Sequence, residues 1–180
     1  MQKIEISKVG PILRNGNLIL VSSTDGRSLI CDAGNEKAIN KLRSFIAPST
    51  KREFRILVDN DARLNRHVHE VPSIAWDILD SADEPLILIL PKGLNVSDNA
   101  LDRDGSIPIQ MVKESDEKKL VQRANCPLAA ILLRDDQDTE SFSSIEYIIN
   151  LPASFLQSSP NKKAPIISLG SNNEVKILRE

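Results

Sequence analysis

Residues 17–33 have the sequence NLILVSSTDGRSLICDA, and the fold class can be inferred from them. The stretch opens with a near-continuous apolar run, NLILVS, whose length and composition are typical of a strand that is covered on both faces. Asn35 follows and fits the N-cap of a helix over residues 36–46, in which apolar residues recur at helical spacing. A strand followed by a helix is the alternation that defines an α/β domain.

The rest of the chain continues this pattern. A second helix is predicted to begin near Pro72, a third covers 115–124 with Ser115 as its cap, and Pro48 ends the first. Few long helices separate the last strands, so some strand pairs are expected to be antiparallel. The segment 156–163, LQSSPNKK, is predicted to be a flexible loop. Further apolar runs predict strands at 54–59, 85–91, 106–112, 128–134, 145–150, 164–169 and 174–179.

Composition limits the class of protein. The length of 180 residues is that of one domain over residues 1–180, and 41% hydrophobic residues are ordinary for a globular protein. The net charge of −2 gives no overall footprint for nucleic acid or anionic membranes. Without a leader-like or membrane-spanning apolar segment, we expect a cytoplasmic protein with no membrane partner. Cys31 and Cys126 are in no metal-ligand spacing and are predicted to be buried, reduced thiols.

Motifs that carry chemistry are few. No glycine-rich phosphate loop occurs, and His67 and His69 are predicted to lie in a solvated loop or at a helix end and not to bind a metal. The acidic run 135–138 is predicted to be a turn in preference to a Mg²⁺ site. The segment 49–55, STKREFR, either forms a solvated loop or contacts phosphates. Spacing alone therefore predicts no function.

Four stretches nevertheless resemble the YrdC-like (threonylcarbamoyl-AMP synthase) family. Residues 17–33 are similar to its first signature, P-T-D-T followed by G-(L/I)-G-C-D-A, and residues 71–90 to V-P-x-x-A-x-x-L…P-L-T-L-I-L. Residues 104–111, DGSIPIQM, resemble D-G-S-I-G-I-R-V, and residues 167–180 resemble the terminal strand pair. The resemblance implies a single YrdC-like domain. Its α/β fold would be a twisted, mixed parallel and antiparallel sheet, with helices on its faces and a concave cleft.

The family's activity follows from the same resemblance. Its members make threonylcarbamoyl-adenylate from threonine, bicarbonate and ATP for the modification of tRNA adenosine, and some are described as binding double-stranded RNA or tRNA. ATP and Mg²⁺ are therefore implied as cofactors only if this chain is an active synthase.

The chain departs from the family at its polar ligand positions while its apolar framework is kept. Removal of one charge-assisted contact typically costs about 2–4 kcal/mol, so several simultaneous losses predict a changed or absent activity. By alignment, the P-T-D-T motif falls on Ser22, Ser23, Thr24 and Asp25, the next bulky and glycine positions on Arg27 and Ser28, the K-x-R cations on Ile46 and Pro48, the P-L-T threonine on Ile87, the I-R-V arginine on Gln110, the S-A-N motif on Leu132, Leu133 and Arg134, and two serines on Ala164 and Pro165.

These departures lead to a hypothesis with open alternatives. The chain is predicted to be a catalytically degenerate YrdC-like protein that binds RNA or a nucleotide, with no catalytic residue and no metal site assigned. The alternatives are a divergent but active synthase and a non-catalytic partner of an intact homologue. The candidate nucleotide- or RNA-binding residues are Ser22, Ser23, Thr24, Arg27, Lys51, Arg52 and Arg134.

Overall fold

A computed structural model of the chain describes residues 1–24, 26–46, 53–113, 115–133, 142–153, 155–157 and 162–180. The ten strands among these residues are β1 (Gln2–Lys3), β2 (Ile19–Ser23), β3 (Gly26–Asp32), β4 (Phe54–Val58), β5 (Ile87–Leu90), β6 (Ile107–Met111), β7 (Leu128–Leu132), β8 (Tyr147–Asn150), β9 (Ile166–Leu169) and β10 (Val175–Arg179). The α-helices are α1 (Val9–Arg14), α2 (Glu36–Arg43), α3 (Asp61–His67), α4 (Ser73–Ser81) and α5 (Ser115–Ala124).

All ten strands belong to one mixed sheet, which has the order β1-β8-β2-β3-β7-β4-β6-β5-β9-β10. Strands β2 and β3 form an antiparallel hairpin, and β7 lies between β3 and β4, antiparallel to both. Strand β4 runs parallel to β6, and β5 pairs antiparallel with β6 and parallel with β9. The sheet is therefore both parallel and antiparallel, as the sequence predicted.

Each face of the sheet is covered by different helices. One apolar cluster joins α2, α3 and α4 to strand residues such as Leu29, Ile56 and Ile131, and we call this side the α2 face. A second cluster joins α1 and α5 to Ile30 and Leu57, and we call this side the α5 face. Successive side chains of a strand point to opposite faces, so position parity assigns the remaining strand residues to a face.

Local sequence explains the helix ends. The side chain of Asn35 accepts a 3.0 Å hydrogen bond from the amide of Ala38, which confirms the predicted N-cap of α2. This helix ends at Arg43 and not at residue 46. Helix α4 begins directly after Pro72, and α5 has the predicted bounds.

Two expectations need correction. The sequence pattern did not predict β1, β3, α1 and α3. Strand β3 begins with Gly26, Arg27 and Ser28, which are not apolar, and the other three elements are short. Residues Leu156 and Gln157 lie in no helix or strand, as expected of a loop, but both are buried; residues 158–161 lie outside the described residues. No helix in the described ranges has the length and apolar composition needed to span a membrane.

Candidate functional site

The β2–β3 hairpin gathers the first candidate residues. Ser22 lies opposite Arg27 and Ser23 opposite Gly26 in the antiparallel register. The hydroxyl of Ser23 donates a 3.1 Å hydrogen bond to the carbonyl oxygen of Gly26, and Thr24 is exposed in the turn. The hairpin tip therefore carries three consecutive hydroxyl-bearing residues, with the side chains of Ser22 and Ser23 on opposite faces of the sheet. They resemble the family's hydroxyl-rich signature in residue type but not in order.

The side chain of Arg27 lies on the α2 face of the sheet. Its guanidinium carbon lies 5.2 Å from the ring centroid of Phe142, a residue of the α2-face cluster. The next residue, Ser28, lies on the α5 face and is buried, and its hydroxyl oxygen has no hydrogen-bond partner among the described residues. The structure thus brings four of the candidates together in the hairpin. The other three, Lys51, Arg52 and Arg134, lie outside the described residues.

A buried ionic network lies on the α5 face at the start of β4. The guanidinium of Arg55 contacts the carboxylate of Glu53 at 2.8 Å, and both side chains are buried. Arg179 from β10 contacts the second oxygen of Glu53 at 2.5 Å, and the amine of Lys163 lies 3.7 Å from it. Three cations therefore surround the carboxylate of Glu53, and the buried carboxylate of Glu117 also acts on the charge of Arg55.

The same network holds Gln110, which the resemblance aligns with an arginine of the family. Arg55 Nη1 donates to Oε1 of Gln110 at 3.0 Å and to the carbonyl oxygen of Leu156 at 3.2 Å. Its Nε donates to the carbonyl oxygen of Glu53 at 3.1 Å. Arg55 is therefore committed to internal partners, which contradicts both interpretations of the segment 49–55 for this residue: it is neither solvated nor available to a phosphate.

Burial and charge shift the pKa values of this network in identifiable ways. Burial lowers the pKa of Arg55 to about 10, with the carboxylate of Glu53 opposing the change and Arg179 adding to it. Burial alone would raise the pKa of Glu53, but Arg55, Arg179 and Lys163 together hold it below its ordinary value. At neutral pH both Arg55 and Glu53 are therefore ionised.

Three positions that the resemblance aligns with polar residues of the family meet in space. Ile87 on β5 and Ala164 before β9 belong to one buried apolar cluster with Ile166, which lies opposite Ile87 in the parallel register. The amide of Ile87 donates to the carbonyl oxygen of Pro165 at 2.9 Å. The resemblance aligns Ile87 with the family's threonine and Ala164 with one of its paired serines; these two side chains, far apart in sequence, pack in one cluster.

A cavity of about 250 Å³ opens over this cluster. Its apolar lining comes from Phe54, Ile87, Ile89, Pro108, Ile166 and Leu178. Its charged lining is Arg43, from the last turn of α2, and Asp102, which precedes β6. Both residues also line a more polar hollow of about 510 Å³ beside it. We call the 250 Å³ cavity the Arg43 pocket.

Sequence reasoning missed the charged residues of this pocket. Arg43 resembles an ordinary cation in the last turn of a helix, and Asp102 an ordinary loop carboxylate. Only the packing of α2 against the segment around Asn99 shows their role, since Arg43 Nε donates to the carbonyl oxygen of Asn99 at 2.5 Å. Burial lowers the pKa of Arg43, and the charge of Asp102 opposes that change.

The remaining motif predictions have mixed outcomes. His67 ends α3 as expected, but it is buried and not solvated, with Nδ1 3.3 Å from the carbonyl oxygen of Leu94; His69 is exposed. Cys31 is buried and Cys126 half-buried, and both are free thiols. The acidic run 135–138 lies outside the described residues, and within the described ranges no group of three or more His, Cys, Asp or Glu residues could hold a metal ion.

Comparison with solved structures gives the same fold. E. coli YciO matches with a TM-score of 0.74 and 17% identity, covering 97% of this chain and 88% of that one. P. abyssi Sua5 complexed with L-threonine matches with a TM-score of 0.75 and 19% identity over 98% of this chain. Full-length HypF in the phosphate- and nucleotide-bound form matches with a TM-score of 0.72 and 17% identity over 97%. The chain spans only 55% of that Sua5 and 28% of that HypF.

At these identities the structural likeness establishes the fold alone. No curated protein matches the sequence significantly. The Sua5/YciO/YrdC family model, which carries the description "telomere recombination", matches residues 11–180. That match covers nearly the whole chain and agrees with the four signature-like stretches and the mixed sheet. The chain therefore belongs to the Sua5/YciO/YrdC family.

Proposed function

We propose that this chain is a YrdC-like domain that binds a ligand in its cleft without making threonylcarbamoyl-AMP. The observation that carries the proposal is the buried apolar cluster of Ile87, Ala164 and Ile166. By the family resemblance, the first two stand where a threonine and a serine would contact substrate. Apolar side chains give a phosphate or carboxylate no hydrogen-bond partner, so a polar substrate would lose its hydration there without compensation.

The positions at which the family has cations support the same proposal. Gln110 replaces the family's arginine, and its carbonyl oxygen already accepts a hydrogen bond from Arg55. The K-x-R pair is replaced by Ile46 and Pro48. Each lost charge-assisted contact weakens binding of the transition state by about 2–4 kcal/mol, so several together reduce a rate by far more than about 1000-fold.

A direct assay tests the proposal. Purified protein is incubated with threonine, bicarbonate, ATP and Mg²⁺, and threonylcarbamoyl-AMP and pyrophosphate are measured beside an active family member. We expect a rate at least about 1000-fold below that control. Product formation within tenfold of the control would overturn the proposal.

A divergent but active synthase is the main rival, and the similarity to Sua5 complexed with L-threonine over 98% of this chain favours it. Ser22, Ser23, Thr24 and the cations Lys51, Arg52 and Arg134 would then hold ATP and Mg²⁺. Calorimetry with millimolar ATP separates the two functions. Heat that disappears when Lys51 and Arg52 are changed to alanine would support the rival, and no heat with the folded protein would remove it.

We propose that the hairpin end of the cleft binds RNA or a nucleotide without catalysing a reaction. Three hydroxyl-bearing residues at the hairpin tip favour it, and the predicted cationic contacts are Lys51 and Arg52. Affinity for a tRNA should fall steeply with salt, and replacement of both cations by alanine should weaken it and reduce the salt dependence. The matched control replaces Lys118 and Lys119, two exposed cations of α5. Equal effects of both variants would exclude a specific site at residues 51 and 52.

A partner role is favoured by the edge strand β10. Val175 and Ile177 are 45% and 60% exposed there, and edge strands with apolar side chains readily pair with another chain. Co-purification from the native cell tests this role. A stable complex with an intact homologue would support it, and a monomer that binds tRNA alone would contradict it.

A further inference from the structure

A small cavity of about 160 Å³ lies at the end of the sheet opposite the β2–β3 hairpin tip. Strand β3 runs from that tip to Asp32, and the amide of the next residue, Ala33, donates to the carbonyl oxygen of Pro127 at 2.7 Å. Pro127 lines the cavity, which we call the Pro127 pocket. The other lining residues come from α3, from the segment after β5 and from the connection between α5 and β7: Arg63, Arg66, His67, Asn95, Asn125 and Cys126.

The lining of the Pro127 pocket is cationic and polar. It contains two guanidinium groups, one imidazole, two side-chain amides and one thiol, and no carboxylate among the described residues. Burial raises the pKa of Cys126 to about 12, with Asp32 adding to the change and Arg14 and Arg63 opposing it, so the thiol is neutral. The volume is about half of the 300 Å³ at which pockets for drug-sized ligands begin. The pocket therefore suits a small anion and excludes a whole nucleotide.

The two arginines contribute differently. Arg63 is fixed, because its Nε contacts the carboxylate of Asp59 at 2.9 Å and its Nη1 donates to the carbonyl oxygen of Val121 at 3.3 Å. The guanidinium of Arg66 has no hydrogen-bond partner and no ion pair in the part of the chain that the structure describes. Asp59 therefore compensates one positive charge, and the charge of Arg66 is left for a ligand.

His67 is the buried member of the lining. The residue is only 2% exposed, and its Nδ1 donates to the carbonyl oxygen of Leu94 at 3.3 Å. Burial lowers the pKa of His67, Arg66 and Arg63 add to the change and the carbonyl of Leu94 opposes it, so the ring is neutral above pH 7. Its Nε2 has no partner in the described ranges, and in this tautomer it can only accept a hydrogen bond.

The segment after β5 holds this end of α3 in place. The amide of Leu94 donates to the carbonyl oxygen of His67 at 2.8 Å, and Nδ2 of Asn95 donates to the carbonyl oxygen of Arg66 at 2.7 Å. These carbonyls would otherwise end the helix without partners and repel an anion. The side of α3 that lines the pocket is therefore preorganised for negative charge.

We propose that the Pro127 pocket binds inorganic phosphate as hydrogenphosphate. The phosphate oxygens accept hydrogen bonds from the guanidinium of Arg66 and from Nη2 of Arg63, and the one remaining proton of the ion is donated to Nε2 of His67. This site lies outside the cleft and goes beyond the function proposed for it, so either proposal can fail alone.

The acceptor at Nε2 of His67 also sets the selectivity. Hydrogenphosphate carries a proton that a neutral imidazole can accept, and sulfate carries none. A phosphate monoester has a second pKa of about 6, so it has lost that proton at pH 8. Nε2 would then face an anionic oxygen with no hydrogen between them. We therefore expect sulfate and monoesters to bind at least about tenfold more weakly than inorganic phosphate.

The first test uses the unmodified full chain and changes only the ligand. Isothermal calorimetry at pH 8 and constant ionic strength compares sodium phosphate, sodium sulfate and methyl phosphate. Methyl phosphate separates free phosphate from an esterified source. We expect phosphate to bind, and each of the other two anions to bind at least about tenfold more weakly. No heat with phosphate at millimolar concentration, or equal affinity for sulfate or methyl phosphate, would overturn the inference.

The second test locates the bound ion by proton NMR. The chain has two histidines, and His69 is exposed and does not line the pocket. Phosphate should therefore shift the Cε1 proton resonance of His67 far more than that of His69, and the His69→Gln variant assigns the two signals. Equal shifts of both resonances, or no shift of His67, would overturn the assignment.

The third test changes the protein. Arg66→Gln removes the guanidinium that has no partner and should weaken phosphate binding at least about tenfold. The matched control is Arg123→Gln, which removes an exposed cation in the last turn of α5 that does not line the pocket. Equal losses in the two variants would reduce the effect to general charge and overturn the site. Unfolding of either variant is detected by its thermal transition, and the ligand series on the unmodified chain then decides the outcome.

Discussion

Nη1 of Arg55 on β4 donates a 3.0 Å hydrogen bond to Oε1 of Gln110 on the neighbouring parallel strand β6. By the family resemblance, residue 110 is the position of an arginine. In this chain a guanidinium is therefore present one strand away, where Glu53 neutralises it and it is buried. The α5 face therefore carries a buried guanidinium, that of Arg55, whose hydrogen-bond partners are all internal.

The first prediction concerns restoration of the family residue. Gln110→Arg places another guanidinium beside Arg55 in a buried site without adding a carboxylate, so the added positive charge is left uncompensated. Such a charge typically costs about 3–5 kcal/mol. The free energy of unfolding, measured with urea, should fall by about that amount, and synthase activity should not appear.

The double variant gives the control. Gln110→Arg combined with Arg55→Gln exchanges the two groups, so most of the lost stability should return and the two changes should be strongly non-additive. Additive losses would show that the two side chains do not interact.

The second prediction concerns the carboxylate of the network. Glu53→Gln removes the only anion that an ion pair places against Arg55, Arg179 and Lys163 in the described ranges, and should lower the free energy of unfolding by about 3–5 kcal/mol. The matched control is Glu84→Gln, which breaks an exposed ion pair with Lys162 and should cost no more than about 1 kcal/mol. Urea unfolding of both variants checks the difference, and equal effects would contradict the buried network.

The third prediction concerns acid. The pKa of Glu53 is lower in the folded chain than its ordinary value, so the ionised carboxylate stabilises the fold at pH values above that ordinary pKa. This contribution is lost as the pH falls below about 4.3 and approaches the folded-state pKa. Thermal unfolding between pH 7 and pH 3 should therefore show a steeper loss of stability in the unmodified chain than in Glu53→Gln. Parallel curves would contradict it.

The fourth prediction concerns Ser28, at the family's glycine position. Its buried hydroxyl oxygen lacks a partner in the described ranges, and an unsatisfied buried polar group costs about 1–3 kcal/mol. Ser28→Ala should therefore raise the free energy of unfolding by about 1 kcal/mol. The control is Ser106→Ala, which loses a 2.6 Å hydrogen bond to Asp104 and should be destabilised by about 1 kcal/mol. A marked loss in Ser28→Ala would mean that its hydroxyl is satisfied in solution.

The fifth prediction concerns the thiols. Burial raises the pKa of Cys31, and burial raises that of Cys126 to about 12. The thiolate is the reactive form, so neither cysteine should be alkylated rapidly by iodoacetamide at pH 8 in the folded chain, as mass spectrometry would show. Both should react in guanidinium chloride. Rapid alkylation of Cys31 in the native protein would contradict its place in the core.

How far the sequence predicts this molecule depends on the range of the interactions involved. Apolar runs and helix caps are local signals, so most strands and the cap at Asn35 are predictable. Strand β3 is missed because its first residues, Gly26, Arg27 and Ser28, are not apolar. Besides the nearby Glu53, the partners of Arg55 are Gln110, 55 positions away, and Leu156, 101 positions away. No local pattern indicates that this arginine is buried. The Arg43 pocket is missed for the same reason.

The place of β7 in the sheet has a consequence for synthesis of the chain. Strands β3 and β4 do not pair with each other in the described sheet; both pair with β7, whose residues are Leu128–Leu132. While the ribosome is still making the residues that precede Leu128, the β2–β3 hairpin and the β4–β6–β5 unit therefore have unprotected edges. The nascent chain must keep these edges apart until β7 emerges and joins them. Ribosome stalling just before residue 128 should for that reason promote aggregation, and stalling after the sheet is complete should not.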